Sequence, residues 1–408
     1  MKRDDLLGSL IGRGEWTTPR GVAALLALAS LITVSCGGEG GGSPERTSSV
    51  QAAVETESCG NGIADLYRSP PPPCPNPAVV TEVFDRADLD AWLADPTTTL
   101  DIKASIAFAA EPLEISTACD VFSRSGVVLS GLTDVFIAAR RVDIYSDVTA
   151  SGRVDLRAAE SIYLRTASSV AGPVAGLALE APYVDDYADT TVGAGGRYCI
   201  EGGEIVVRQA SKNGAAGGEV SVSGASVDVH GDFTSPGTVR MSAAGDLVLR
   251  EAARFSGAGD VTLSAGGALD VHGDLIGAGH VVFEAGGDLT YRQAARVENA
   301  ASVSMTCGGF VDFHGTLVDA GPVSLLADRF WYRDAALIET SGDVGVAVGG
   351  TTLTEFYGTM RSNGNVALSA DSLYLRQSGL IRSDRDVRLA VAGRFDMRGK
   401  VQQNEDVR

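Results

Sequence analysis

Short runs in which apolar and polar residues alternate recur along the chain from residue 100 to residue 404. From Gly218 onward most repeats open on a run such as 239–241 or 261–263, in which a polar residue separates valine from a second large apolar residue. A turn rich in Ala, Gly and Asp follows, and then a second alternating run such as 247–249. Alternation with period two predicts strands with one buried face. A repeat of about 20 to 22 residues cannot bury that face alone, so the coils must stack on one another.

The pattern therefore predicts an all-β fold, a single-stranded parallel β-helix (a solenoid) over residues 100–404 with coils of about 20 to 22 residues. Residues 85–95 follow a different period, because Leu89 and Trp92 share one face at helical spacing. This segment predicts a short helix that covers the N-terminal end of the stack, within a cap at residues 77–99.

Two parts of the chain depart from the regular pattern. Residues 166–204 lose the register and contain clustered Asp and Gly, which predicts an insertion loop that bulges from the coils. Residues 405–408 form a polar tail after the last coil, with no helix between them. Because an uncovered coil presents open strand edges, the sequence predicts weak self-association at the C-terminal face.

A second layer of order lies within the repeat. The residue that follows the second strand of a coil alternates between arginine and, in most cases, histidine. This surface ladder consists of Arg208, His230, Arg250, His272, Arg292, His314, Arg333, Tyr357, Arg376 and Arg398. The alternation predicts a structural unit of two coils, which would rise by about 9.6 Å if coils stack at the usual strand spacing.

Two histidines of the ladder lie between acidic residues, as in Asp228, His230 and Asp232, and His314 lies between Asp312 and Thr316. Alternate residues of a strand point the same way, so such a comb could hold a divalent metal ion. An arginine one coil away, such as Arg250, would repel a metal ion and pair with the carboxylates instead. The sequence favours the structural interpretation, with no metal and no cofactor. Ca²⁺ stays open as an alternative, because the chain carries a net charge of −19.

That charge also bears on the partners. An acidic chain lacks the surplus of Lys and Arg that neutralises phosphates, so nucleic acid is excluded as a partner. Aromatic residues make up only 6% of the chain, and there are 50 glycines. This composition suits the thin core of a repeat protein better than a thick globular core.

The N-terminal residues are typical of an exported protein. An uncharged run at 21–35 follows several basic residues and is too short to span a membrane, so residues 1–35 are predicted to be a signal peptide. Cys36 follows this run and precedes a Gly-rich stretch, which resembles the lipobox of bacterial lipoproteins, although Thr33 stands where those proteins usually have a large aliphatic residue. The resemblance implies a lipid on Cys36, attachment to a membrane, and location in the bacterial cell envelope, at the outer membrane or cell surface.

Residues 36–76 are rich in Gly, Ser, Pro and Glu and predict a flexible tether. Cys59 and Cys74 bracket a short loop in this tether, and in an oxidising compartment they are predicted to form a disulfide. Whether Cys119 pairs with Cys199 is left open. Cys307 occupies a position held by alanine in neighbouring repeats, which predicts a buried free thiol.

The coil length and pattern resemble the right-handed β-helices of filamentous-haemagglutinin-type adhesins and of the pectate-lyase-like superfamily. The first resemblance implies a non-enzymatic protein whose rigid surface serves adhesion or scaffolding with a polysaccharide or an envelope protein. The second implies the alternative, a glycoside hydrolase or lyase acting on acidic polysaccharide, with Asp185, Asp186 and Asp189 as its acid and base residues. The motifs of those enzymes are missing from the chain, so the non-enzymatic interpretation is preferred.

Overall fold

The computed structural model describes residues 73–403, apart from residues 167, 173–175, 194, 209–211, 216–217, 235–236 and 352. The described strands form one continuous parallel sheet, wound into a β-solenoid of about 15 turns with coils of about 21 residues. The predicted fold class is therefore confirmed. The predicted signal peptide, Cys36, most of the predicted tether and the predicted tail at 405–408 lie outside the described residues.

The N-terminal end contains the helix that the sequence predicted. Helix α1 (Arg86–Leu93) lies between β1 (Asn76–Val83) and β2 (Thr98–Ile102). The side chain of Asp85 caps the helix by accepting a hydrogen bond from the backbone nitrogen of Asp88. Leu89 and Trp92 are buried. No helix among the described residues is long and apolar enough to cross a membrane.

The stack begins earlier than residue 100, because β1 already pairs with β2 in parallel. In the coils that follow, long strands bend around the corners of the solenoid and alternate with short ones. These strands are β3 (Ile106–Ser116), β4 (Asp120–Ser123), β5 (Val128–Ile144), β6 (Asp147–Ala150), β7 (Arg153–Leu164), β8 (Ser169–Gly172), β9 (Gly176–Asp186), β10 (Asp189–Val192), β11 (Arg197–Val207), β12 (Lys212–Ala215), β13 (Glu219–Val229) and β14 (Asp232–Thr234).

From Val239 each coil has three separate short strands. The first strands are β15 (Val239–Ala243), β18 (Val261–Ala265), β21 (His280–Ala285), β24 (Ser302–Cys307), β27 (Val323–Ala327), β30 (Val344–Val348), β33 (Val366–Ala370) and β36 (Val387–Val391). The second strands are β16 (Leu247–Leu249), β19 (Leu269–Val271), β22 (Leu289–Tyr291), β25 (Phe310–Phe313), β28 (Arg329–Tyr332), β31 (Leu353–Phe356), β34 (Ser372–Leu375) and β37 (Phe395–Met397). The third strands are β17 (Arg254–Ser256), β20 (Asp274–Ile276), β23 (Arg296–Glu298), β26 (Thr316–Ala320), β29 (Leu337–Thr340), β32 (Thr359–Ser362), β35 (Leu380–Ser383) and β38 (Lys400–Gln403).

The core is built from columns of like residues, because parallel register places equivalent positions of successive coils on top of each other. Tyr291, Phe313, Tyr332 and Phe356 form one such column, with ring centroids 4.8, 5.4 and 4.4 Å apart in that order. The tyrosine hydroxyls of this column donate to backbone carbonyls of third strands, as Tyr332 does to Thr359 at 2.6 Å. Burial of each such ring contributes about 1.5–3 kcal/mol.

Cys307 lies in a column of small residues, at the position that the sequence predicted for it. It lies opposite Ala285 in register and is a buried free thiol. Burial raises the pKa of this thiol to about 11.

The predicted insertion loop at 166–204 is wrong. The described residues of this segment form β8, β9, β10 and the start of β11, and β9 pairs in register with both β7 and β11. The pattern was hidden because an acidic residue, Asp186, occupies an inward position where the two neighbouring coils have Leu164 and Val207. The Gly-rich stretch is a tight corner, in which the backbone nitrogen of Gly196 donates to the carbonyl oxygen of Gly193 at 2.9 Å.

The predicted Cys59–Cys74 disulfide is also wrong. Cys74 is bonded to Cys119, with 4.7 Å between the two Cα atoms and 45 residues between them in sequence. Stacking explains the pairing, because Cys74 precedes β1 and Cys119 precedes β4, and both strands flank β2 at one edge of the coils. Cys199 is disulfide-bonded as well, so it does not pair with Cys119. Cys59 lies outside the described residues.

The last described coil is only partly covered. Its inward residues Val387, Leu389 and Val401 are half-buried, and Phe395 and Met397 are 46% and 38% exposed. Among the described residues no further strand pairs with β36, β37 or β38 on their outer side.

Candidate functional site

The surface ladder lies at the corner that follows the second strands. Each ladder residue follows the last inward-facing residue of its strand, as His272 follows Val271 and Arg292 follows Tyr291. The parallel register of β13, β16, β19, β22 and their successors stacks these residues in one column. The column therefore runs along a single edge of the solenoid.

The structure extends the ladder beyond the sequence prediction toward the N-terminus. The register of β4, β5, β7, β9 and β11 places four more residues in the column. They are Arg124, Tyr145, Arg165 and Tyr187. The signal was present in the sequence as the same alternation of arginine with a ring residue, but the presumed loop at 166–204 separated it from the rest of the ladder.

Most arginines of the ladder hold a carboxylate of the preceding coil, whereas Arg398 pairs with Asp396 of its own strand at 3.2 Å. Arg250 donates from Nε and Nη2 to the two carboxylate oxygens of Asp228 at 2.8 and 2.9 Å. Arg292 does the same to Asp270 at 2.9 and 3.0 Å. These are the parallel, two-pronged pairs that give guanidinium–carboxylate contacts their geometric specificity. The same pairing joins Arg124 to Asp101, Arg165 to Asp143, Arg208 to Asp185 and Arg333 to Asp312, and one hydrogen bond joins Arg376 to Glu355.

The histidines contact the same aspartates from within their own strands. The Nε2 atom of His272 lies 3.2 Å from Oδ1 of Asp270, and His314 lies 3.1 Å from Asp312. One aspartate is thus shared by the histidine two residues later and the arginine of the next coil. This sharing is the physical basis of the two-coil unit, since only every second coil carries the acid.

The electrostatics of the aspartates follow from these contacts. Partial burial raises the pKa of Asp270, but the hydrogen bond from Arg292 and the charges of His272 and Arg292 outweigh it. The pKa of this carboxyl therefore lies below its ordinary value. The pKa values of Asp228 and Asp312 are lowered for the same reasons.

The predicted acid–histidine–acid comb is not assembled. Asp232 lies beyond the corner on β14, where its register partner is Arg254. Asp274 on β20 lies between Arg254 and Arg296 in the same way. Burial raises the pKa of Asp274, although the two arginines oppose this shift. The second carboxylate of these two combs thus lies in register with arginines of the third strands.

The three candidate catalytic aspartates do not converge. Asp185 points outward and pairs with Arg208 at 2.8 Å. Asp186, the next residue on the strand, points into the core and accepts hydrogen bonds from the Tyr198 hydroxyl at 2.6 Å and the Ala188 backbone nitrogen at 2.9 Å. Burial raises the pKa of Asp186 to about 6. Asp189 is exposed on β10, so the geometry assembles no acid and base pair here.

Sequence reasoning missed a set of outward residues two positions before the ladder arginines. In the coils that lack the acid, this position holds either a ring or a smaller side chain. The residues are Phe122, Tyr163, Val206, Val248, Thr290, Trp331 and Tyr374. Where a ring is present, the following arginine lies over it, with 4.2 Å from Arg165 to the Tyr163 centroid and 4.3 Å from Arg333 to the Trp331 centroid.

Comparison with known families agrees with this architecture. The haemagglutinin repeat model matches residues 149–251, 234–293 and 361–407. These matches and the parallel β-solenoid together fit a filamentous-haemagglutinin-like β-helix. No curated protein and no solved structure matches the chain. The haemagglutinin repeats indicate an adhesin-like protein that is extracellular or at the cell surface.

Proposed function

We propose that this haemagglutinin-repeat β-helix is a non-enzymatic lipoprotein of the bacterial cell envelope. Its stack of coils presents a rigid surface for adhesion, or for scaffolding with a polysaccharide or another envelope protein. The observation that carries the proposal is the ladder, in which arginines of alternate coils hold carboxylates of the preceding coil along the solenoid. We call each such arginine–carboxylate pair between neighbouring coils a clasp. Repeated clasps hold neighbouring coils together, which suits a rigid display surface.

The positions of the acidic residues support a proposal without catalysis. Asp185 is held by Arg208 and Asp186 is inside the core. A general acid and a general base must both reach a substrate on the same side of the sheet, and adjacent strand residues point to opposite sides. The alternative of a carbohydrate-active enzyme predicts turnover of pectin or alginate that Asp186→Asn abolishes. Assays for new reducing ends and unsaturated uronates would detect it, and such turnover would contradict the proposal.

Attachment to the membrane rests on Cys36 and the apolar run before it. The proposal predicts that Cys36 is acylated, and that Cys36→Ala moves the protein from the membrane to the soluble fraction. Mass spectrometry of the N-terminal peptide checks the acylation directly. Cys307→Ala is the matched control, because it removes another thiol and leaves attachment unchanged. A Cys36→Ala protein that stays on the membrane would contradict lipid anchoring.

Adhesion is tested with whole cells. Cells that display the full chain should attach to a surface coated with envelope or host-cell material more than cells that lack it. The purified chain, added in excess, should compete with this attachment. Equal attachment with and without the protein would contradict the proposed role.

A further inference from the structure

One part of the ladder carries aromatic rings that are partly exposed, of which Trp331 is the most exposed. We define the aromatic platform as Phe310, Trp331 and Tyr374 with Arg329, Arg333 and Arg394, on the outer face of second strands β25, β28, β34 and the residue before β37. Trp331 is 37% exposed, whereas Trp92, the other described tryptophan, is buried. The Phe310 and Trp331 rings meet edge to face, with centroids 4.7 Å apart.

The fold does not require rings at these positions. The position of Trp331 and Tyr374 is held by Val206, Val248 and Thr290 in the central coils. Arg250 and Arg292 nevertheless make the same two-pronged pairs with aspartate in those coils. The rings are therefore additions to a ladder that forms without them, and exposed rings of this kind are the usual anchors of binding surfaces.

The spacing of the platform suits an extended ligand. Trp331 is in register with Glu355, and Glu355 is in register with Tyr374. The two rings are thus two strand spacings apart, about 9.6 Å along the solenoid. The intervening coil supplies Glu355, which accepts a hydrogen bond from the Tyr357 hydroxyl at 3.3 Å.

The platform alternates apolar faces with hydrogen-bonding groups. Guanidinium groups lie over the rings, with Arg329 5.6 Å from the Phe310 centroid, Arg333 4.3 Å from the Trp331 centroid and Arg394 5.0 Å from the Tyr374 centroid, so each ring offers a ligand the part that its arginine leaves uncovered. Guanidinium groups only donate and carboxylates only accept, so neighbouring groups of both kinds match hydroxyls, which do both. The negative face of an aromatic ring attracts the weakly positive C–H groups on the face of a sugar ring.

Charge favours a neutral ligand. Arg333 is neutralised by Asp312 at 2.6 Å and Arg376 is hydrogen-bonded to Glu355. The whole chain carries a net charge of −19, which repels long polyanions. The strands beneath the platform are hydrogen-bonded on both sides, so a peptide cannot be added as an extra strand there.

We propose that the aromatic platform is a binding site for a neutral glycan chain, in which the uncovered parts of the Trp331 and Tyr374 rings contact sugar rings and the arginine–carboxylate pairs contact hydroxyls. This inference rests on the proposed adhesive role and names its ligand class.

The test uses the full-length chain and its variants in calorimetric titrations with cellohexaose, xylohexaose, laminarihexaose and mannohexaose. Polygalacturonate and heparin serve as acidic comparisons. At least one neutral hexasaccharide should bind, and Trp331→Val should weaken this binding by about tenfold or more. Trp331→Phe should retain most of it, because the ring is kept. Val248→Ala, at the equivalent ladder position without a ring, should leave it unchanged. Thermal unfolding of each variant shows whether the coils are intact.

Absence of binding to every neutral glycan, or equal binding by the Trp331→Val protein, would overturn the inference. Binding confined to the acidic polymers and lost with added salt would overturn it too, and would assign the ligand to Arg329 and Arg394. If cells displaying the chain attach to surfaces although no neutral glycan binds, the inference fails and the adhesive role stands. If they do not attach at all, the proposed function itself fails.

Discussion

Arg292 and Asp270 lie on neighbouring coils and form two parallel hydrogen bonds of 2.9 and 3.0 Å, although 22 residues separate them in sequence. The pair is repeated at almost every second coil of the described solenoid. It joins neighbouring coils through their side chains, in addition to the backbone pairing of β19 and β22. The following predictions rest on this and related contacts.

Disruption of one clasp should cost little, because the side chains of Arg292 and Asp270 are 47% and 27% exposed. Arg292→Gln should lower the free energy of unfolding by about 0.5–1 kcal/mol. A double-mutant cycle with Asp270→Asn, measured by urea denaturation, should give a coupling energy in that range. Arg292→Lys should retain only part of this coupling energy, since an ammonium group cannot make the two-pronged pair. Zero coupling in the cycle would show that the clasp does not stabilise the stack.

The clasps also predict how stability depends on pH. The pKa values of Asp228, Asp270 and Asp312 are lowered in the folded chain. Their contribution is therefore present above the ordinary aspartate pKa of about 3.9 and is lost as pH falls below it. Urea midpoints measured from pH 6 down to pH 3 should decrease, and less steeply when Asp270 is replaced by Asn. Parallel curves for the two proteins would contradict this assignment.

Asp186 should act in the opposite direction. Its pKa is raised to about 6 by burial, so its contribution is greatest below about pH 4 and is lost as pH rises through about 6. Asp186→Asn keeps a partner for the Tyr198 hydroxyl and removes the charge. The variant should be more stable than the wild type at pH 8, by up to about 3 kcal/mol, and the difference should shrink at pH 4. A difference that does not change with pH would contradict the raised pKa.

Cys307 should be unreactive in the folded protein. Burial raises its pKa to about 11, and the thiolate is the reactive form. Titration with a thiol reagent at pH 8 should label Cys307 only after denaturation, as peptide mapping would show. Cys307→Ala should cost less than about 1.5 kcal/mol, because alanine occupies the equivalent position at Ala285 and at Ala327. Rapid labelling of the native protein would indicate that this coil opens.

The half-covered C-terminal coil is the predicted surface for weak self-association. Phe395 is 46% exposed on it, and open strand edges favour pairing with another chain. Light scattering over a concentration series should show association of the full chain, and Phe395→Lys should reduce it. Val128→Lys is the control, since Val128 is a similarly exposed apolar residue on an inner coil. A strictly monomeric wild-type protein would contradict this prediction.

Much of the fold could be predicted because its signals are local. The alternation of apolar and polar residues in runs such as 239–241 follows from the geometry of a single strand, and the helical spacing of Leu89 and Trp92 from that of a single helix. In alternate coils an arginine follows the second strand, as Arg250 and Arg292 do. This recurrence is also a property of the linear sequence. These signals sufficed for a solenoid with a two-coil unit and a capping helix.

The remaining features depend on which residues meet across coils, and this is decided by corner turns and coil lengths rather than by local pattern. The partner of Cys74 is Cys119 because stacking brings the starts of β1 and β4 to one edge. An aspartate such as Asp186 is expected at the surface because of its charge. The register of β9 instead places its side chain in the core, where its carboxylate accepts a hydrogen bond from the Tyr198 hydroxyl. The platform around Trp331 arises in the same way, since only the stacking of β25 on β28 brings the Phe310 ring against the indole. Contacts between coils are long-range in sequence, and only the packed solenoid specifies them.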